Sequence, residues 1–170
     1  MLPPQTNFAF IDSQNVHLGI KKLGWKLDWK KFRIYLKEKY GVKTAYIFIG
    51  YIKENQDLYQ SLKSKGYNLI FKETLKNRDG IVKGNCDGEL ILQAMIEYAE
   101  YEKAVIVTGD WDFACLVKYL TNQNKFERLL IPNSREYSVL LKKCGRQYID
   151  LLEEHRNKLK YEKHPVRTEP

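Results

Sequence analysis

Short apolar runs alternate along the chain with stretches in which apolar residues recur at helical spacing. The runs fall at residues 8–11, 45–49, 67–71, 104–107 and 128–131 and are dominated by β-branched and aromatic side chains. Largely apolar runs of this length suit strands covered on both faces. Helical periodicity occupies residues 28–40, 57–65, 87–101, 113–120 and 135–144. Strands alternating with helices imply right-handed crossovers, and hence an α/β fold with a parallel sheet of about five strands and helices on both sides. No internal repeat or low-complexity linker breaks the pattern. One domain is therefore expected over residues 1–152, followed over 153–170 by the end of a last helix and a charged tail.

In doubly wound sheets, ligands sit outside the carboxyl ends of the strands, where strand order reverses. Two predicted strand tips carry aspartates: Asp12-Ser13-Gln14-Asn15 after the first run and Thr108-Gly109-Asp110-Trp111-Asp112 after the fourth. Ser13 and Gly109 are small and permit close approach of a backbone or ligand. Another carboxylate comes from the 87–101 helix, whose apolar positions Leu90, Ile91, Ala94, Met95 and Tyr98 lie at +3, +4, +7, +8 and +11 from Asp87. Asp87 thus begins the stripe expected to face the sheet.

Each aspartate alone has a structural reading. Asp12 suits the N-cap of a helix beginning near Asn15, and Asp110 and Asp112 suit caps for a helix starting around Phe113. Asp87 suits a helix N-terminus, where a negative charge contributes about 0.3–1 kcal/mol. Together, however, separate segments deliver carboxylates to one predicted sheet edge. Like charges held that close raise one another's pKa unless a cation intervenes. An all-oxygen donor set without clustered His or Cys favours Mg²⁺ or Mn²⁺ over zinc.

The net charge of +8, from 29 Lys and Arg against 21 Asp and Glu, points towards a polyanionic partner. Lys72, Lys76, Arg78 and Lys83 flank an Asn77-Arg78-Asp79-Gly80 turn just before Asp87. They read either as an ordinary solvated loop or as a basic lip that neutralises phosphates. Trp111 is placed either to stack on a base of a single strand, worth about 1–3 kcal/mol, or to pack on the neighbouring helix. Trp25 and Trp29 lie in an apolar-basic stretch and read as core or interface.

Cys86, Cys115 and Cys144 are far apart, and His17, His155 and His164 equally so. This scatter argues against a disulfide framework, a zinc knuckle and a His-Glu-x-x-His site. With no histidine in the motifs, a metal-free ribonuclease using His as acid and base is disfavoured as well. Reduced thiols suit a cytoplasmic protein. No apolar run approaches the roughly 18 residues of a membrane helix. The start of the chain lacks a basic n-region, so no secretory signal is expected.

Read together, the motifs resemble the NYN domain family, LabA-like proteins within the PIN-like nuclease superfamily. Phe10-Ile11-Asp12-Ser13-Gln14-Asn15 is similar to the family's opening, two apolar residues followed by Asp-Gly-x-Asn. Lys83-Gly84-Asn85-Cys86-Asp87 resembles Lys-Gly-x-x-Asp at the head of the central helix, and Thr108-Gly109-Asp110-Trp111-Asp112-Phe113 resembles Ser-Gly-Asp-x-Asp-Phe. Tyr137-Ser138-Val139-Leu140-Leu141 and Tyr148-Ile149-Asp150-Leu151 are similar to the closing segment, so the likeness runs over residues 7–152 with the motifs in family order. Ser13 stands where the family usually has Gly.

The resemblance implies a Rossmann-like, PIN-like sheet and a metal-dependent ribonuclease. Asp12, Asp87, Asp110 and Asp112 would be its catalytic and metal-binding residues, with Mg²⁺ or Mn²⁺ as cofactor and Asn15 as a polar partner. Ser13, Asn15, Lys76, Arg78, Lys83, Trp111 and Ser138 are the candidate substrate-binding residues. The implied reaction hydrolyses RNA to 5′-phosphate and 3′-hydroxyl ends. Single-stranded RNA is the favoured partner, no membrane is involved, and a homodimer is an admissible assembly. Two alternatives stay open: an RNA-binding or regulatory scaffold with little turnover, and a metal-dependent phosphatase or nucleotide-binding enzyme. The absence of a Walker loop, of Gly-x-Gly-x-x-Gly and of an Asp-x-Asp after the first strand weighs against the last.

Overall fold

The apolar strands have two faces to cover, and each face receives its own helical layer. A computed structural model of the chain describes residues 6–72, 75–76, 82–83, 86–137, 139, 143 and 145–163, with 75–76 and 82–83 described by their backbone. β1 (Asn7–Asp12) runs directly into α1 (Ser13–Lys22), and α2 (Trp29–Tyr40) leads to β2 (Val42–Gly50). Then come α3 (Gln56–Ser64), β3 (Asn68–Lys72) and a small antiparallel pair, β4 (Leu75–Lys76) with β5 (Val82–Lys83). α4 (Asp87–Ile96) and β6 (Ala104–Val107) follow, and after a 3-10 turn at Trp111–Phe113 come α5 (Ala114–Asn122) and β7 (Phe126–Ile131). β8 (Ile149–Leu151) and the short α6 (Arg156–Leu159) close the described chain.

The main sheet has six strands in the order β3-β2-β1-β6-β7-β8, and every pairing in it is parallel. This is the doubly wound arrangement, with the order reversing between β1 and β6. The sequence pattern anticipates the first five strands. The sixth, β8, is three residues long and only partly buried, too short to register as an apolar run.

Alternation along the strands sorts the core. Ala9 and Ile11 of β1, with Val105 and Val107 of β6, pack under α1 and α2, a layer that also buries Leu152 and Leu159. Phe8 and Phe10, with Ala104 and Ile106, pack under α4 and α5. Side chains on one strand face recur every second residue, so Asp12 continues the face of Phe8 and Phe10, the one that α4 covers. Phe10 stacks on Tyr46 at 5.7 Å and meets Tyr101 edge-on at 5.7 Å, geometries that add to area burial.

Local signals fix the helix ends. Asp28 accepts the N–H groups of Lys30 and Lys31 at 2.9 and 3.0 Å, a cap worth about 1 kcal/mol. Gly41 ends α2 in the left-handed region at φ 62°, which glycine adopts without steric penalty. α4 stops at Ile96, short of the expected 101, because a turn closes from Glu100 N–H to the Glu97 carbonyl at 2.8 Å. Its buried positions are Leu90 and Ala94, with Ile91 and Tyr98 beside them, whereas Met95 is exposed. The sheet receives a narrower strip of this helix than the periodicity suggests. Of the helix expected over 135–144, residues 138, 140–142 and 144 lie outside the described residues, and residues 135–137 form turn and bend instead of helix.

Candidate metal centre

The reversal of strand order opens a cleft of about 550 Å³ at the carboxyl ends of β1 and β6. Asp12, Asn15, Cys86, Asp87, Gly109 and Asp110 line it. Three carboxylates, from Asp87, Asp110 and Asp112, offer oxygens that all lie within 4.8 Å of one another. Asp87 arrives on the first turn of α4, Asp110 at the tip of β6, and Asp112 on the 3-10 turn that follows. Segments from opposite sides of the reversal point thus converge.

Asp110 caps its own turn, accepting the Asp112 N–H at 3.1 Å through Oδ1. The cap and the cluster are therefore compatible, since a carboxylate has about four acceptor positions. Three hard oxygen donors drawn together, with no histidine among the cleft residues, fit a divalent Mg²⁺- or Mn²⁺-type ion.

Asp12 lines the same cleft but stands outside that group of three. Its Oδ1 accepts the Asn15 N–H at 3.1 Å, and its Oδ2 accepts the Thr108 hydroxyl at 3.2 Å. Burial raises the Asp12 pKa from its ordinary value; the bonds from Asn15 and Thr108 oppose the rise, and the charge of Asp110 adds to it. The same Thr108 oxygen accepts the Asp110 N–H at 3.2 Å. Thr108, fully buried, thereby links the two strand tips. Its place before Gly109-Asp110 is visible in the sequence, but its bridging role depends on the β1–β6 pairing, which sequence alone does not supply.

The remaining candidates divide. Asn15 reaches across to accept the Gly109 N–H at 2.7 Å. Ser13 is buried, and its hydroxyl donates to the Phe48 carbonyl at 2.8 Å, so it fastens α1 to β2 while lining the cleft. Trp111 is 57% exposed, so more than half of its surface is open to solvent. Lys76 and Lys83 lie on the β4–β5 pair. Their side chains, together with Arg78 and Ser138, fall outside the described residues. Lys72 pairs with Glu89 at 3.5 Å.

Asn133 and Glu136, which the sequence did not single out, line the far side of the cleft, where Glu136 pairs with Lys22 at 2.8 Å. Both follow β7, a strand tip without the aspartate that marks the other two. Cys86 also lines the cleft, and burial pushes its thiol up to about 11, with Glu89 and Asp12 adding to the shift. A thiol of that pKa is a poor nucleophile near neutrality.

The fold is an α/β, Rossmann-like and PIN-like one, with an acidic cleft at its strand-order reversal. The chain belongs to the NYN domain family, whose model matches residues 8–152. It is also similar to a solved crystal structure of a protein of unknown function from Vibrio parahaemolyticus. That match has a TM-score of 0.75 and 19% sequence identity, and it covers 95% of this chain and 99% of the other. At that identity the likeness shows the shared fold. No curated protein matches the chain. Among the described residues, no helix is long and apolar enough to cross a membrane.

Proposed function

We propose that this chain is a metal-dependent ribonuclease that hydrolyses single-stranded RNA at the acid cleft. The observation that carries the reading is the convergence of Asp87, Asp110 and Asp112 within 4.8 Å at the reversal of strand order. These three side chains would hold Mg²⁺ or Mn²⁺. When bound, such an ion polarises a phosphoryl oxygen and lowers the pKa of coordinated water.

The chain's own residues prepare the site. Asp12 is held in place by Asn15 and Thr108 where it lines the cleft, and its two oxygens have acceptor positions beyond those bonds. Asn15 fixes the Gly109 backbone and leaves its amide nitrogen as a donor for a phosphate oxygen. Trp111, exposed between two of the acids, supplies an aromatic face for a base. Lys76, Arg78 and Lys83 supply the positive lip, and the net charge of +8 supports a polyanionic substrate. The free cysteines Cys86 and Cys115 support a cytoplasmic location.

The test is cleavage of labelled RNA and DNA by purified protein with Mg²⁺, Mn²⁺ or EDTA. RNA should be cut to 5′-phosphate ends with either metal and spared in EDTA. Asp110→Asn should lower the rate at least about 100-fold, equivalent to about 2.7 kcal/mol in the barrier. RNA bound with wild-type affinity but uncut with every metal would replace this reading with the scaffold. Cleavage that persists in EDTA or in the Asp110 variant would show a contaminating nuclease.

A further inference from the structure

A second cavity, of about 350 Å³, lies on the other side of α1 from the acid cleft. Its walls include Trp25 and Trp29, and His17, Lys21 and Lys26 stand around them. We propose that this groove is a second binding site for single-stranded RNA, where a base stacks against the tryptophans and Lys21 and Lys26 neutralise the adjoining phosphates. It rests on the ribonuclease reading in one respect: the strand held here is the one threaded through the cleft.

Three observations converge on a ligand of this chemistry. First, Trp25 Nε1 is buried and meets no acceptor among the described residues. An unpaired buried N–H is unfavourable by about 1–3 kcal/mol, and a turn of the indole into the groove on binding would bring it to an acceptor on a base or phosphate. Second, the walls are already fixed. Trp29 meets Tyr67 edge-on at 5.7 Å. Lys26 lies 4.9 Å over the Tyr161 ring, and its carbonyl accepts the Tyr161 N–H at 2.8 Å. Aromatic faces interleaved with cations are what a single strand requires, because every base has a π-face and every linkage a negative charge.

Third, the ground between groove and cleft is continuous along α1, and the one carboxylate that meets it, Glu136, is already paired with Lys22. α1 has no Asp or Glu, and Gln14, His17, Leu18, Lys21 and Lys22 are all exposed on it. On a 3.6-residue helix these positions form one outward face that runs from the groove to the cleft rim. The nearby Asp28 carboxylate is already engaged by the Lys30 and Lys31 N–H groups. A helix is roughly 10–12 Å across with its side chains. About three to four nucleotides, at about 3.4 Å each, therefore span the distance.

The proposal is tested by measuring binding in EDTA, by fluorescence anisotropy, of a dinucleotide, too short to span both sites, and of a strand of about 16 nucleotides. The long strand should bind the wild type at least about 10-fold more tightly than the short one. Lys21→Glu/Lys26→Glu should erase that gain. Trp25→Phe, which keeps a ring and removes the N–H, should lose about 5-fold on the long strand, as expected for one hydrogen bond. An unaltered Mn²⁺-dependent rise in Tm would show that fold and acid cleft are intact in the variants. Equal long-strand affinity in the double variant and the wild type overturns the proposal. RNA cleaved without any length dependence removes the groove and leaves the nuclease. Length-dependent binding without cleavage keeps the groove and removes the nuclease. No binding of either length removes both.

Discussion

The side-chain oxygen of Asn15 accepts the Gly109 N–H at 2.7 Å, fastening the first turn of α1 to the loop that carries Asp110 and Asp112. Without it, the amide would point into a partly buried space with no partner. Asn15→Ala should therefore lower stability by about 1–3 kcal/mol, the usual effect of leaving such a group unpaired. It should also loosen the spacing of the acids and weaken Mn²⁺ binding. Urea unfolding in EDTA reads the first effect, and a Mn²⁺ titration reads the second. A variant as stable as the wild type would show that the bond contributes nothing to the loop.

A second close approach supports the far side of the cleft. A Cβ built on Gly19 would lie 3.0 Å from the Pro132 Cβ and 3.4 Å from the Asn133 Cβ. Glycine inside a helix is ordinarily improved by alanine by about 0.5–1 kcal/mol. Here the added methyl must displace the segment after β7, where Asn133 donates to the Gly19 carbonyl at 3.3 Å. Gly19→Ala is expected to destabilise by about 1–3 kcal/mol, in the range of overpacked cores. A rise in the melting temperature would show that the loop yields freely.

How much of this was legible in the sequence follows from the range of each interaction. The strands with continuous apolar runs, and Asp12 and Asp110 at their tips, were readable because burial and period are local properties. The capping roles of Asp12 and Asp110 were readable for the same reason. What escaped depends on pairing between distant segments. Thr108 bridges Asp12 and Asp110 only because β1 and β6 are neighbours. Asn133 reaches the cleft only because β7 lies beside β6. β8 escaped because three half-buried residues leave no periodic signal.

Asp150 on β8 links that edge strand to α2. Its carboxylate accepts from Tyr35 at 3.0 Å, from Lys39 at 2.7 Å and from Tyr40, and it meets His155 Nε2 at 2.9 Å. Burial opposes its ionisation, but the hydrogen bonds from Lys39, Tyr40 and His155 outweigh it and hold the pKa well below the usual carboxylate range. A pKa lower in the folded than in the unfolded state gives stability that is fully present above about pH 4 and is lost as the pH falls towards the folded value. Asp150→Asn should therefore be clearly less stable than the wild type at neutral pH, with the difference shrinking on acidification below about pH 4. Urea unfolding of both proteins across that range is the measurement. A difference that stays constant with pH would mean that the network acts through packing alone.

The three clustered acids set stability against metal binding. With no cation present, carboxylates held within 4.8 Å repel one another, and folding must bring them together. Asn caps a turn about as well as Asp, so Asp110→Asn keeps the bond to the Asp112 N–H while removing one negative charge. In EDTA the variant should melt no lower than the wild type, and by relief of repulsion somewhat higher. In millimolar Mn²⁺ the order should reverse, because a ligand that binds the folded state stabilises it by mass action, by about 2.7 kcal/mol at 100 times its Kd. Only the wild type retains the full charge to hold the ion. Thermal melts of both proteins in the two conditions give the four values required. If the variant is the less stable protein in EDTA, Asp110 serves the fold more than the cluster. If Mn²⁺ raises both melting temperatures equally, the ion binds elsewhere, and the acid cleft is not the metal centre.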